Sequence, residues 1–145
     1  MLNRLVAGIA ISLIATAASA QNTPVGKWQT IDDKTKEVKS EVTISEVDGL
    51  LSGKITKLLR KDAKQDAVCD DCKDERKGKP ILGLEIIRGA KKEASEEAWT
   101  GGRILNPEGG TEYKLKLTLQ DGGKKLAVRG SFAFISKTQI WNRVE

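Results

Sequence analysis

Two thiols and a few adjacent carboxylates are the side chains whose chemistry could carry a function. Cys69 and Cys72 are the chain's two cysteines, and Asp70 and Asp71 separate them. A redox pair at this spacing needs a thiol whose pKa is lowered by cations or a helix N-terminus, whereas two intervening carboxylates favour the neutral thiol. The surrounding pattern also lacks the βαβ setting such pairs use. A structural zinc site needs about four ligands, and with no histidine in the chain only carboxylates could complete the shell. A local disulfide pinning a long loop is the favoured reading, with thiol-disulfide exchange and a metal site as weaker alternatives. The closed loop is so short that its stabilisation should fall at the low end of the usual range.

The missing histidine removes imidazole-activated serine and cysteine nucleophiles and the histidine-rich zinc hydrolases. Three adjacent acidic pairs remain, Asp32-Asp33, Asp70-Asp71 and Glu96-Glu97. Neighbours on a strand point to opposite faces, which is poor geometry for a cooperating acid and base. They read as solvated turns and edges, so no catalytic residue, cofactor or metal is assigned. The formal charge is +5, but Lys91-Lys92 runs directly into Glu93, Glu96 and Glu97, and such interleaving keeps a surface soluble. With aromatic residues at 4%, too few rings are present for a nucleic-acid platform or a sugar-stacking site.

These residues need a frame, and its first part is a leader. Met1 to Arg4 carries a positive charge, Leu5 to Ile14 is apolar, and Ala18-Ser19-Ala20 offers a small-x-small cleavage pattern. Residues 1–20 therefore read as a cleaved signal peptide of the bacterial export type, and the protein as periplasmic or secreted. The apolar run is short of the roughly 20 residues that cross a bilayer. No cysteine stands at the cut for lipid attachment, and no later segment is apolar enough to span. Residues 21–145 then form one domain of ordinary size, long enough to bury a core.

Within that domain the period is two. Glu41 to Ser45 alternates, Asp48-Gly49 turns the chain, and Leu50 to Ile55 resumes, as in a hairpin. Tyr113 to Leu119 alternates most clearly, with the odd positions on one face, and Gln120-Asp121-Gly122-Gly123 turns it into Leu126 to Arg129. Further strands are expected at Val25 to Ile31, Leu82 to Ile87, Glu97 to Leu105 and Thr138 to Val144, with Lys61 to Lys77 as a loop holding at most a helical turn. About eight short antiparallel strands and almost no helix predict an all-β closed barrel, since closure removes exposed sheet edges.

The Gly26-Lys27-Trp28 step at the first strand has the Gly-x-Trp form of the lipocalin signature, in which the indole closes the barrel floor under a basic side chain from the last strand. Arg143 is the first candidate for that cation and Arg129 the second. A guanidinium over an indole is worth up to about 2 kcal/mol when desolvated. Gly26-Lys27-Trp28, Cys69-Asp70-Asp71-Cys72, Gly101 to Pro107, Leu126 to Gly130 and Gln139 to Arg143 follow one another in an order that resembles domain-of-unknown-function family 2147, small exported bacterial proteins. The resemblance covers Val25 to Val144 and implies a lipocalin-like barrel; it carries no established activity. Ser131-Phe132-Ala133-Phe134 departs from it where a further glycine is expected.

Function is then expected to be non-enzymatic binding of one small hydrophobic or amphipathic molecule. Ile44, Ile55, Leu115, Leu117 and Val128 are the inward candidates, with Trp99 and Tyr113 near a mouth or floor. In a barrel this small the same side chains could fill the interior, leaving an envelope interaction or structural protein. A thiol-disulfide protein using Cys69 and Cys72 is the third alternative.

Overall fold

A computed structural model describes residues 22–145, so the leader expected at 1–20 lies outside the described residues. Eight strands follow in order: β1 (Gly26–Ile31), β2 (Val38–Val47), β3 (Leu50–Leu58), β4 (Glu85–Lys92), β5 (Trp99–Asn106), β6 (Thr111–Gln120), β7 (Lys125–Phe132) and β8 (Ile135–Arg143). Each pairs antiparallel with the next, and β8 returns to β1, so the sheet closes. Closure rests on the pairs Trp28↔Arg143 and Gln29↔Asn142, reinforced where Val144 N donates to Lys27 O at 2.9 Å.

Register decides what fills the barrel. Leu115 and Leu117 of β6 face Gly130 and Val128 of β7, and Leu126 faces Trp141 of β8. With Trp28, Val42, Ile44, Ile55, Ile87 and Trp99 these form one buried apolar cluster. The opposite face carries Lys54, Arg103, Lys114, Lys125 and Arg129, all exposed. Apolar inside and charged outside is the reverse of a lipid-spanning barrel.

Several strands run longer than the sequence expectation, and two of the differences have a backbone cause. β4 starts at Glu85 and runs on to Lys92 through Gly89, whose φ of 78° permits a bulge in a stretch too charged to read as strand. β8 starts at Ile135 because a two-residue hairpin, Ala133-Phe134, follows the Phe132↔Ile135 pair directly. Ala133 takes φ 53° there, in the left-handed region where the resemblance led to the expectation of glycine. Residues 61–77 form turns with no α-helix, and the bridge Val68↔Pro80 folds this long β3–β4 connection back on itself.

That connection covers part of the barrel's outside. Ile86 and Leu105, neighbours of inward Ile87 and Ile104, point to the outer face yet are 6% and 3% exposed. Arg76, 2% exposed, donates to Glu85 O at 2.9 Å and pairs with Glu112 of β6 at 3.1 Å, holding the connection over them.

Candidate functional site

One end of the barrel is shut by the clasp. Trp28 is fully buried, its Nε1 donates to Pro24 O at 2.8 Å, and the Arg143 guanidinium lies 4.2 Å from the ring centre. Arg143 also donates to three carbonyls, Gly123 O, Val25 O and Thr23 O, at 2.8 to 2.9 Å. Burial lowers its pKa from the ordinary value, but a guanidinium stays charged at any working pH. Gly26 has φ 138°, and a Cβ there would sit 2.7 Å from Arg143 Nη1. What its missing side chain admits is thus the guanidinium. Arg129 has no part in this: it lies on the outer face and donates to Ser136 Oγ at 3.2 Å. Residues 128 and 130 point inward, so strand alternation turns residue 129 outward.

Above the clasp the barrel is packed. Ile44, Ile55, Trp99, Leu115, Leu117 and Val128 are all at most 6% exposed and belong to one cluster. Two surface depressions, about 410 and 380 Å³, lie beside the Gln120–Gly123 turn and beside Arg76 and Phe132, and neither is lined by any of those six residues.

At the end opposite the clasp the inward face changes character from one strand to another. On the β5–β6 wall stand Ile104 and half-buried Tyr113, whose ring meets Phe132 edge-on with centroids 6.3 Å apart. Gly130 of β7 lets Tyr113 pack close against its backbone, since a Cβ there would come within 3.1 Å of Tyr113 Cβ. The β8–β1–β2 wall is polar. Gln139 Nε2 donates to Asp33 Oδ2 at 2.9 Å, Trp141 Nε1 donates to Gln139 Oε1 at 3.2 Å, and Lys137 pairs with Asp33 at 2.5 Å. Thr30 and Ser40 share a 2.7 Å hydroxyl bond beside them. The Lys137 and Gln139 bonds hold the Asp33 carboxyl below the usual range. Alternation marked Tyr113 as inward, near a mouth or floor, without choosing between them; Asp33, Lys137 and Gln139 were not legible, because polar residues near strand ends read as solvent-facing.

Ion pairs tie the loops around this opening. Asp32 Oδ1 accepts from the Thr35 and Lys34 amides at 2.9 Å and its other oxygen pairs with Arg60. Those backbone bonds, with Arg60, hold its pKa at about 2 despite an opposing effect of burial. Glu108 of the β5–β6 turn reaches both Lys39 at 2.9 Å and Arg60 at 3.3 Å. Glu96 and Glu97 lie apart from these, paired with Lys116 and Lys92.

Cys69 and Cys72 form a disulfide with Cα atoms 5.5 Å apart, and both residues are at most 2% exposed. Asp70 and Asp71 face solvent on the same turn. Among the described residues no three acidic or cysteine side chains converge as metal ligands.

The profile of a bacterial family described as uncharacterised conserved proteins, DUF2147, matches residues 26–143. No curated protein matches the chain. Among solved structures, Helicobacter pylori protein HP1028, described as belonging to the lipocalin family, superposes with a TM-score of 0.70 at 18% identity, covering 83% of this chain and 82% of that one. At that identity the likeness is one of fold.

Proposed function

The chain belongs to the DUF2147 family, and from that premise we propose that it is an exported, lipocalin-like binding protein whose ligand, a small amphipathic molecule, sits in the barrel mouth. One observation carries the reading: at this end of the barrel the inward positions of β5 and β6 are Ile104 and Tyr113, and those of β8, one strand beyond β7, are the polar Lys137 and Gln139, above a packed floor. An aliphatic tail would lie over Gly130 against Tyr113 and Leu115, and a hydrogen-bonding head group would reach Lys137 or Gln139. Ile44, Ile55, Trp99, Leu117 and Val128 serve as the floor. The rim of loops joined through Asp32, Arg60 and Glu108 would define the entrance.

Amide NMR titration with straight-chain carboxylates of increasing length tests this. Shifts should concentrate on Ile104, Tyr113, Gly130 and Gln139. Affinity should rise about fourfold per methylene, from roughly 0.8 kcal/mol each, until the tail meets the floor. Shifts on the outer strands alone, or none, would contradict it.

One observation favours a second reading, a filled barrel acting as an envelope interaction protein: neither depression is lined by the buried interior residues. The thiol-exchange reading has less support, because attack on a disulfide needs an accessible sulfur and both cysteines are buried.

A further inference from the structure

The β7–β8 tip exposes more apolar surface than its fold requires. Phe134 is as open as in an extended peptide, at 105% relative exposure, and Ile135 and Phe132 beside it stand at 71% and 57%. Single exposed apolar residues are ordinary, but three contiguous ones on a protruding turn are a patch. The turn has a defined shape, with Ala133 at φ 53° and Phe132 braced on Tyr113.

The acids beside Phe132, Asp74 and Glu112, are both paired with Arg76, and cations without an acidic partner stand around the tip. Lys114 pairs across the sheet with Ser131, Arg129 lies three residues before Phe132, and Lys34 adjoins Asp33, the partner of Lys137. Lys34, Lys114 and Arg129 are exposed, and none joins the ion pairs formed among the described residues. The other exposed apolar tip, Val47 and Leu50, instead flanks Asp48 and follows Glu46.

We infer that the Phe132–Ile135 tip docks the protein on an anionic phospholipid surface, its rings entering the headgroup layer while Lys34, Lys114 and Arg129 meet lipid phosphates. Two physical points select lipid over a protein partner. A convex tip of three side chains falls well short of the roughly 800 Å² per partner that a specific protein interface buries. A bilayer interface accepts isolated aromatic and aliphatic side chains and rewards nearby cations. The tip lies at the same end as the mouth, so docking would turn the opening toward the membrane. The inference does not require the mouth to hold a ligand.

Flotation of residues 21–145, which contain the whole closed barrel, with phosphatidylglycerol–phosphatidylethanolamine vesicles tests it. Wild-type protein should float, binding should weaken at high salt, and Phe134→Ser should lower the partition coefficient about tenfold with unchanged thermal unfolding. Phe134→Trp should give a blue-shifted emission on these vesicles, quenched by brominated lipid. The inference is overturned by no partition, by equal partition of Phe134→Ser, or by equal binding to neutral phosphatidylcholine. It is also overturned if vesicles are ignored while Phe134→Ser abolishes a concentration-dependent dimer, which would assign the tip to self-association.

Discussion

Arg143 concentrates more of the fold's closure than any other side chain, because one guanidinium spans the first strand's indole and three backbone carbonyls. Arg143→Ala should cost about 2–4 kcal/mol from the lost cation–π contact and the unsatisfied carbonyls, and Arg143→Lys should recover only part. Arg129→Ala should stay within about 0.5 kcal/mol of wild type. Urea unfolding of the three variants checks this, and equal losses at 129 and 143 would refute the assignment. Gly130→Ala asks the other residue-scale question. Its new methyl must displace Tyr113 by a few tenths of an ångström, so carboxylate binding should weaken several-fold while stability drops by about 1 kcal/mol. The clasp was legible through the likeness of Gly26-Lys27-Trp28 to the lipocalin signature, which implies a basic side chain from the last strand over the indole. The choice between Arg143 and Arg129 was not, since it depends on which strand face each occupies, and that is set by register.

The loops around the mouth are held by charge, and acid should loosen them first. Asp32 and Asp74 both have pKa values lowered to about 2 in the folded protein, Asp32 chiefly by backbone amides and Asp74 chiefly by Arg76. A carboxyl lowered on folding contributes stability that is complete above its unfolded pKa, about 4, and lost as pH falls toward the folded value. Melting temperatures of wild type and Asp32→Asn should therefore differ at neutral pH and converge near pH 2; a constant offset across that range would exclude the ionised carboxyl, held by the amides and Arg60, as its source. The disulfide belongs to the same scale. Closing so short a loop is worth at most about 2 kcal/mol, so Cys69→Ala with Cys72→Ala should raise hydrogen exchange in residues 59–84 and leave the strands protected. Global loss of protection would show the connection to be integral to the barrel. Its covering role was hidden in the sequence: Ile86-Ile87 is apolar on both faces, and a continuous apolar run carries no period to reveal that one side faces outward.

At the scale of the molecule, a chain with few aromatics closes a complete barrel by placing its three tryptophans in the buried cluster and most of its charges outside. Closure was readable from about eight short strand segments with turns between them, since edges left open would invite pairing with other chains. Whether the interior holds a ligand was not, because Leu115 and Val128 alternate identically whether they line a void or fill it. The structure packs the lower barrel, and the proposed seat lies at the other end, where Ile104 and Tyr113 stand near Lys137 and Gln139. Native mass spectrometry of the protein isolated from its own host, compared with Gly130→Leu prepared alongside, tests that claim most directly. The account predicts a small amphipathic molecule released one-to-one from wild type and absent from the filled-mouth variant. Wild type arriving empty, or both proteins carrying the same molecule, would contradict it.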